Sequence, residues 1–274
     1  MEVTTLLEND SLNSVYKNKS GLSLYIETQK HKILFDLGPN DRFIKNAEFY
    51  GIDIKEVDTV IISHGHKDHG GGIKAFLEAN TKAKIYINKN AFKGFYANFI
   101  KIFKVYVGLD KSIKENERII LVEDYLKIDE ELILFSEINE KEYTLEFNRG
   151  LFIKSNQGFI LDDFNHEQNL IIKEGNKNNL FIGCGHNGII NITKKAEDVI
   201  GDDINNIIGG FQFFTTIRKK GIKRNYIDAI CETLADKKIN YYTCHYTKER
   251  TYNKLRKIMG EKIVYLNEGT SVDL

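Results

Sequence analysis

The chain has 274 residues, room for one large α/β domain with a full core, and Lys+Arg and Asp+Glu both total 39. With zero formal net charge, no chain-wide attraction to nucleic acid or anionic membrane is expected. No apolar run reaches the roughly 20 residues that cross a bilayer, and no basic-then-apolar leader opens the chain.

Short strands open the chain: VTTLLE, LSLYIET and KILFDLG, the last two joined by QKHK as an antiparallel pair with His31 exposed in the connection. The stretch GPND then marks a turn and a helix start, Pro39 suiting a first turn, and DRFIKNAEFYGI reads as a helix closed by Gly51. VDTVIIS follows as a buried strand, IKAFLEAN as a helix, AKIYIN as a strand and AFKGFYANFIKIF as helical or mixed. Residues 105–165 read as mostly β through RIILVED, ELILFSEI and LFIKSNQGFILDDF. NLIIKEG and NLFIGCG flank NKNN as a second hairpin. Helix and strand alternate from there: GIINITKKAEDVIG, NNIIGGFQFF, YIDAICETLAD, INYYTC, TYNKLRKIMG and KIVYLNEG. Hairpins early in each half, then alternation, suit two mixed sheets packed face to face with helices outside. No repeat or Pro/Gly/Ser-rich linker interrupts residues 1–274, which are expected to form one domain. Cys184, Cys231 and Cys244, odd in number and without close pairing, suit reduced thiols in a cytoplasmic protein.

The stretch VIISHGHKDHGGG holds three of the seven histidines. His64 and His66, two residues apart at a strand end, point to the same side and can share one cation. Asp68 and His69 follow where the strand turns toward a helix, placed to serve a second cation nearby, while the glycines let backbone approach closely. Four donors in this order, after a strand and before a helix, point to metal binding rather than to capping of a strand end. Imidazole and carboxylate without a Cys pair favour Zn²⁺, one ion or two, and the same donors suit Fe or Mn.

These residues resemble the His-x-His-x-Asp-His signature of the metallo-β-lactamase superfamily, and the likeness runs almost end to end. KILFDLG resembles the family's early strand ending in a supporting aspartate, here Asp36; LFIGCGHNGIIN resembles the segment of the first metal's third ligand, here His186; YYTCHYTKE resembles the late segment that gives a histidine to the second metal, here His245. Within the superfamily, LSLYIE, ILFDLG, SHGHKDHGGG, GCGHNGI, GGFQ and HYTK are similar to elements of a branch of dihydropterin–ribofuranosylaminobenzene 5′-phosphate synthase-like metal-dependent hydrolases. The resemblance implies an αββα sandwich with the metals at one end between the sheets. It also implies one ion on His64, His66 and His186, a second on Asp68, His69 and His245, and support from Asp36.

Two departures stand out. The branch has GGFH where this chain has GGFQ, and the neutral amide of Gln212 is a poorer donor, so the second ion is expected to bind more weakly. HYTK replaces HCTG, which places Lys248 in the pocket wall beside His245. His166 and Glu167 read as a pocket edge or a solvated loop, and Cys184 as a small packing residue facing away from its neighbours. The cationic run IRKKGIKRN reads as a solvated loop or a cover over an anionic substrate's tail.

The expected activity is metal-dependent hydrolysis of a small anionic molecule, a phosphoester by preference. Water held by the cations would ionise near neutral pH, and Asp68 would orient it and take its proton. An iron-dependent redox enzyme and a ligand sensor of the same fold are the alternatives. No nucleic acid or membrane partner is expected.

Overall fold

The computed structural model describes residues 1–9, 20–99, 103–140, 146–213 and 224–274. Strands β1 (Glu2–Leu7), β2 (Ser23–Glu27) and β3 (Lys32–Phe35) form an antiparallel meander. After helix α1 (Arg42–Phe49), β4 (Thr59–Ile62) lies parallel to β3. Two short helices, α2 (Lys67–Gly70) and α3 (Ile73–Ala79), lead to β5 (Lys84–Asn88), parallel to β4. The antiparallel pair β6 (Phe95–Phe99) and β7 (Phe103–Tyr106) leaves this sheet before β8 (Ile119–Val122) returns beside β5.

The second sheet starts with β9 (Tyr125–Lys127) and β10 (Leu132–Phe135). The pair β11 (Leu151–Ser155) and β12 (Gly158–Leu161) interrupts it, and β13 (Asn169–Glu174) then pairs with β14 (Lys177–Ile182). Helix α4 (Ile189–Ile200), β15 (Asn206–Gly210), α5 (Arg224–Asp236), β16 (Asn240–Cys244), α6 (Glu249–Met259) and β17 (Ile263–Tyr265) follow, with β14 to β17 parallel. Finally β18 (Ser271–Asp273) crosses back to β1. The sheet orders are β18-β1-β2-β3-β4-β5-β8 and β17-β16-β15-β14-β13-β10-β9.

Period-2 alternation explains the layers, because strands covered on both faces send successive apolar residues to opposite cores. In β4, Val60 and Ile62 pack with Phe43 of α1 and Phe76 of α3, whereas Ile61 enters the inter-sheet core. In β14, Leu180 and Ile182 pack with Ile192 of α4 and Leu255 of α6, whereas Phe181 turns inward to meet Phe35, ring centres 5.9 Å apart. Helix, sheet, sheet, helix is therefore the layer order, the αββα sandwich expected from the resemblance.

The stretch AFKGFYANFIKIF corrects the sequence reading. Where a helical or mixed segment was expected, it contributes β6 and the first residue of β7 to a third sheet ordered β12-β11-β6-β7. Its Phe-Tyr-Ala-Asn-Phe run is aromatic-rich and pairs with β11, so strand pairing overrides the helical pattern. His31 is another correction: it is half-buried and bridges Asp58 and Asp129 across the β2–β3 turn, at 3.2 and 2.7 Å. Among the described residues, no helix is long and apolar enough to cross a membrane. The run IRKKGIKRN lies outside the described residues up to Lys223.

Candidate metal centre

The carboxyl ends of β3, β4, β14, β15 and β16 meet at one edge of the sandwich, the place where open α/β sheets present loops to ligands. Asp36 follows β3, residues 63–69 follow β4, Cys184 and His186 follow β14, Gln212 follows β15 and His245 follows β16. The loops from the two sheets touch: a Cβ on Gly183 would lie 2.1 Å from Ser63 Oγ, so only glycine allows that approach.

Among the described residues, four trios of donors form there. Two of them are His64 with His66 and His186, and Asp68 with His69 and His245; the others join His64 and His69 with Cys184, and His66 with Asp162 and His166. In each, one donor atom per residue lies within 4.8 Å of the others. The first two are the groupings that the resemblance implied. His64 Nε2 is 3.1 Å from His66 Nδ1, and His69 Nε2 is 3.1 Å from His245 Nε2.

The outer partners of the rings settle where their protons sit. Ser63 Oγ–H donates to Asp36 Oδ2 at 2.7 Å, so that hydroxyl accepts from His64 Nδ1–H at 2.9 Å. His69 Nδ1–H donates to Asp36 Oδ2 at 2.6 Å. His186 Nδ1–H donates to Asn148 Oδ1 at 2.9 Å, and its buried Nε2 has no hydrogen-bond partner. The Asp162 carboxylate stands 3.8 Å from His66 Nε2 and favours the proton on that side. Four imidazoles thus turn bare lone pairs inward, two of them 3.1 Å apart. Lone pairs at that separation repel unless a cation lies between them. The donor set fits a divalent ion.

Buried carboxylates brace each loop. Asp36 accepts from Ser63 N–H at 2.7 Å in addition to the bonds above. Glu167 accepts from the backbone of His186 at 2.8 Å and of Asn187 at 2.9 Å, and from the Asn187 amide at 2.8 Å. Glu8 accepts from His245 N–H at 3.1 Å. Asp162 accepts from His166 Nε2–H at 3.2 Å, and His166 Nδ1 in turn accepts from Gly65 N–H at 2.9 Å. Asp36, Phe164, Gln212, His245 and Lys248 all take left-handed φ between 46° and 62°. Non-glycine residues there are strained, and such strain clusters at functional edges.

Burial first, then the neighbouring imidazoles, push the His64 and His245 pKa well below the usual histidine range; burial and His66 do the same for His186. Neutral imidazole is the ligating form. For Asp68, burial pushes upward but His69 and His245 outweigh it, and the carboxyl stays below its ordinary value. For His69, burial pushes downward, yet Asp36 and Asp68 prevail and raise it.

Gln212 is buried just past β15, and Lys248 is half-buried with its charge adding to the depression of His245. Two readings of the sequence need correction. His166 and Glu167 are fully enclosed rather than solvated, because each satisfies backbone N–H groups of a donor-bearing loop. Cys184 is buried, but its sulfur faces His69 Nε2 at 3.1 Å instead of turning away. The sequence reading also missed Glu8, Asn148, Asp162 and Tyr246, whose hydroxyl is 3.4 Å from Asp68 Oδ2. Only Asp162 left a trace, in the acidic DDFNHE stretch set between two apolar runs.

A family model described as the metallo-β-lactamase superfamily matches residues 17–141. The solved structure of Tm1679, titled a metal-dependent hydrolase of the β-lactamase superfamily, is 25% identical, with a TM-score of 0.81 over 100% of this chain and 99% of that one. Sequence match and fold both resemble the metallo-β-lactamase superfamily. Two proteins of Methanocaldococcus jannaschii are each 28% identical to this chain over 254 residues. One is an uncharacterized protein, with 90% of this chain and 92% of the relative covered. The other is named 7,8-dihydropterin-6-methyl-4-(β-D-ribofuranosyl)-aminobenzene-5′-phosphate synthase, with 84% and 86% covered. Similarity to it agrees with the branch that the sequence motifs resemble.

Proposed function

We propose that the protein is a metal-dependent hydrolase of small anionic molecules, with a phosphoester as the preferred substrate. His64, His66 and His186 hold one divalent cation, and Asp68, His69 and His245 hold a second. The single observation that carries this reading is the set of inward lone pairs, those of His64, His69 and His186 each fixed by a hydrogen bond on the far side of its ring. Zinc is the preferred ion for imidazole-rich donors, with iron or manganese as competitors.

Bound cations would supply acidified water and polarisation of a substrate oxygen. The chain's own residues supply the rest. Asp68, ionised and half-exposed at the mouth of the centre, orients the attacking water and takes its proton. Tyr246 holds Asp68 in place through its hydroxyl. Phe164, stacked on His186 with ring centres 4.1 Å apart, shields that ring from water. Lys248 beside His245 places positive charge where a phosphate oxygen would approach. The phosphate in the name of the Methanocaldococcus relative supports an anionic phosphorylated substrate.

The test is a panel of phosphomonoesters, phosphodiesters, lactones and thioesters, assayed on chelator-stripped protein reloaded with Zn²⁺, Mn²⁺ or Fe²⁺. Metal-restored phosphoester turnover, reduced about 100-fold or more by Asp68→Asn, is the expected result. Bound metal without turnover of any ester would refute hydrolysis. Product release only when an aromatic amine acceptor is added would favour transfer, as the relative's synthase name suggests.

A further inference from the structure

The third sheet leans on the metal centre with one end of one face and leaves the rest of that face open. Cross-strand partners project to the same side of a sheet, as do residues two apart along a strand. Phe95 of β6 packs on the His66 ring, centres 5.7 Å apart, and Asp162, just past β12, stands 3.8 Å from His66 Nε2. The register puts both on one face. Ile153 pairs with Phe95, Leu151 with Ala97 and Ala97 with Val105, while Asp162 N–H donates to the Leu151 carbonyl. Phe99 and Phe103, paired with each other, extend this face beyond Ala97 and Val105. Asn148, three residues before Leu151, bonds the His186 ring and ties the same strip to a second donor of the trio.

Burial falls away along the strip. Phe95 is fully buried, whereas Val105, Phe99 and Phe103 are 49%, 57% and 66% exposed. The opposite face covers itself: Lys104 lies over the Phe152 and Phe159 rings at 4.4 and 5.0 Å, and Tyr96 packs on Tyr106 and Phe159. The charge that Asp162 brings to the strip is buried against His66 and His166. A contiguous apolar surface that starts at a polar centre and stays open is the wall of a ligand groove, unlike apolar side chains scattered singly. From Phe95 to Phe99 it runs four residue steps, about 13 Å. A single ring would cover one row of it, and a hydrocarbon chain covers its length. We propose that this strip receives the unbranched alkyl tail of a ligand whose anionic head lies at the metal centre. The inference rests on the metal reading above and narrows its substrate class to phosphoesters with an extended apolar tail.

Calorimetry on the intact, zinc-loaded protein with alkylphosphonates from methyl to decyl, kept below their micelle thresholds, reads the tail without turnover. Affinity should rise about twofold per added methylene, less than full burial gives, because the strip covers one side of the chain. Combining Phe99→Ser with Phe103→Ser, at two exposed positions, should flatten the series. Phe159→Ser, exposed on the opposite face, should leave it steep. The kcat/KM of the matching alkyl phosphates should follow the same slope. Equal affinity for methyl- and decylphosphonate, with phosphoesters still cleaved, would overturn the proposal and leave hydrolysis standing. A steep binding series without turnover of any ester would support the strip and refute hydrolysis. A flat series in a dimer that the paired Phe99 and Phe103 substitutions dissociate would assign the strip to a second copy of the chain and overturn the proposal.

Discussion

Asp36 Oδ2 lies 2.6 Å from His69 Nδ1, with both side chains closed off from solvent. The carboxylate fixes the imidazole so that Nε2 faces the site, and it also ties down Ser63 through backbone and hydroxyl. Asp36→Asn keeps the volume but removes the charge and turns an N–H toward existing donors. We expect metal affinity to fall 10- to 100-fold and stability to drop by about 3 kcal/mol. Competitive chelator titration and denaturant unfolding measure the two effects; unchanged affinity would show that His69 is not held for a cation.

Asp162 performs the corresponding task for His66 from a different part of the chain. Its carboxylate is shared by His66 and His166, and His166 holds Gly65 N–H. Asp162→Asn is expected to weaken the ion on His64, His66 and His186 by 10- to 100-fold, with less effect on the second ion. Stepwise zinc titration monitored by calorimetry separates the two sites, and equal loss at both would count against this assignment.

Glu167 supports the His186 loop through three hydrogen bonds from His186 and Asn187. Burial pushes its carboxyl pKa up, and those N–H donors pull against the shift without reversing it. Glu167→Ala would leave buried N–H groups unpaired, at about 1–3 kcal/mol each. The expected outcome is a thermal midpoint lower by several degrees together with loss of the first ion; an unaltered midpoint would contradict the bracing role.

Metal-free protein should lose stability as pH falls from 7 to 5. His64, His166, His186 and His245 have folded-state pKa values below the ordinary 6.5, so the unfolded chain binds protons in this window that the folded chain refuses. His69 is raised and acts in the opposite sense, its contribution being present below 6.5 and lost as pH rises through its folded value. The carboxyls of Glu167 and Glu268, raised by burial, act in the same sense as His69. The four depressed histidines outnumber these three groups, so the net slope is positive with pH, by about 1.4 kcal/mol per pH unit for each net proton taken up on unfolding. Urea midpoints measured at pH 5, 6 and 7 check this; a flat or rising midpoint toward pH 5 would contradict it.

The layers and most of the donors were legible because each leaves a local trace. Alternating apolar residues mark strands such as β4 and β14, and His64, His66, Asp68 and His69 crowd into one turn. His186 and His245 are single residues in the chain, and family resemblance rather than spacing assigned them. The bracing groups were illegible for a physical reason. Glu8 and Glu167 hydrogen-bond to backbone remote in sequence (237 residues away in the case of Glu8), Asp162 faces the distant side chain of His66, and nothing near a carboxylate in sequence reveals such a partner. The orientation of Cys184 depends on the turn at Gly185, whose φ of 73° breaks the strand alternation used to face it away. The β6–β7 pair was misread because its partner β11 lies more than 50 residues later.

Zinc uptake by chelator-stripped protein, wild type against His186→Ala, addresses convergence of the distant histidines most directly. Tight uptake of up to two ions per chain is expected for the wild type, with the step assigned to His64, His66 and His186 weakened at least 100-fold in the variant while the fold stays intact by circular dichroism. Equal uptake by both proteins, or none by either, would contradict the metal centre assigned to this edge of the sandwich.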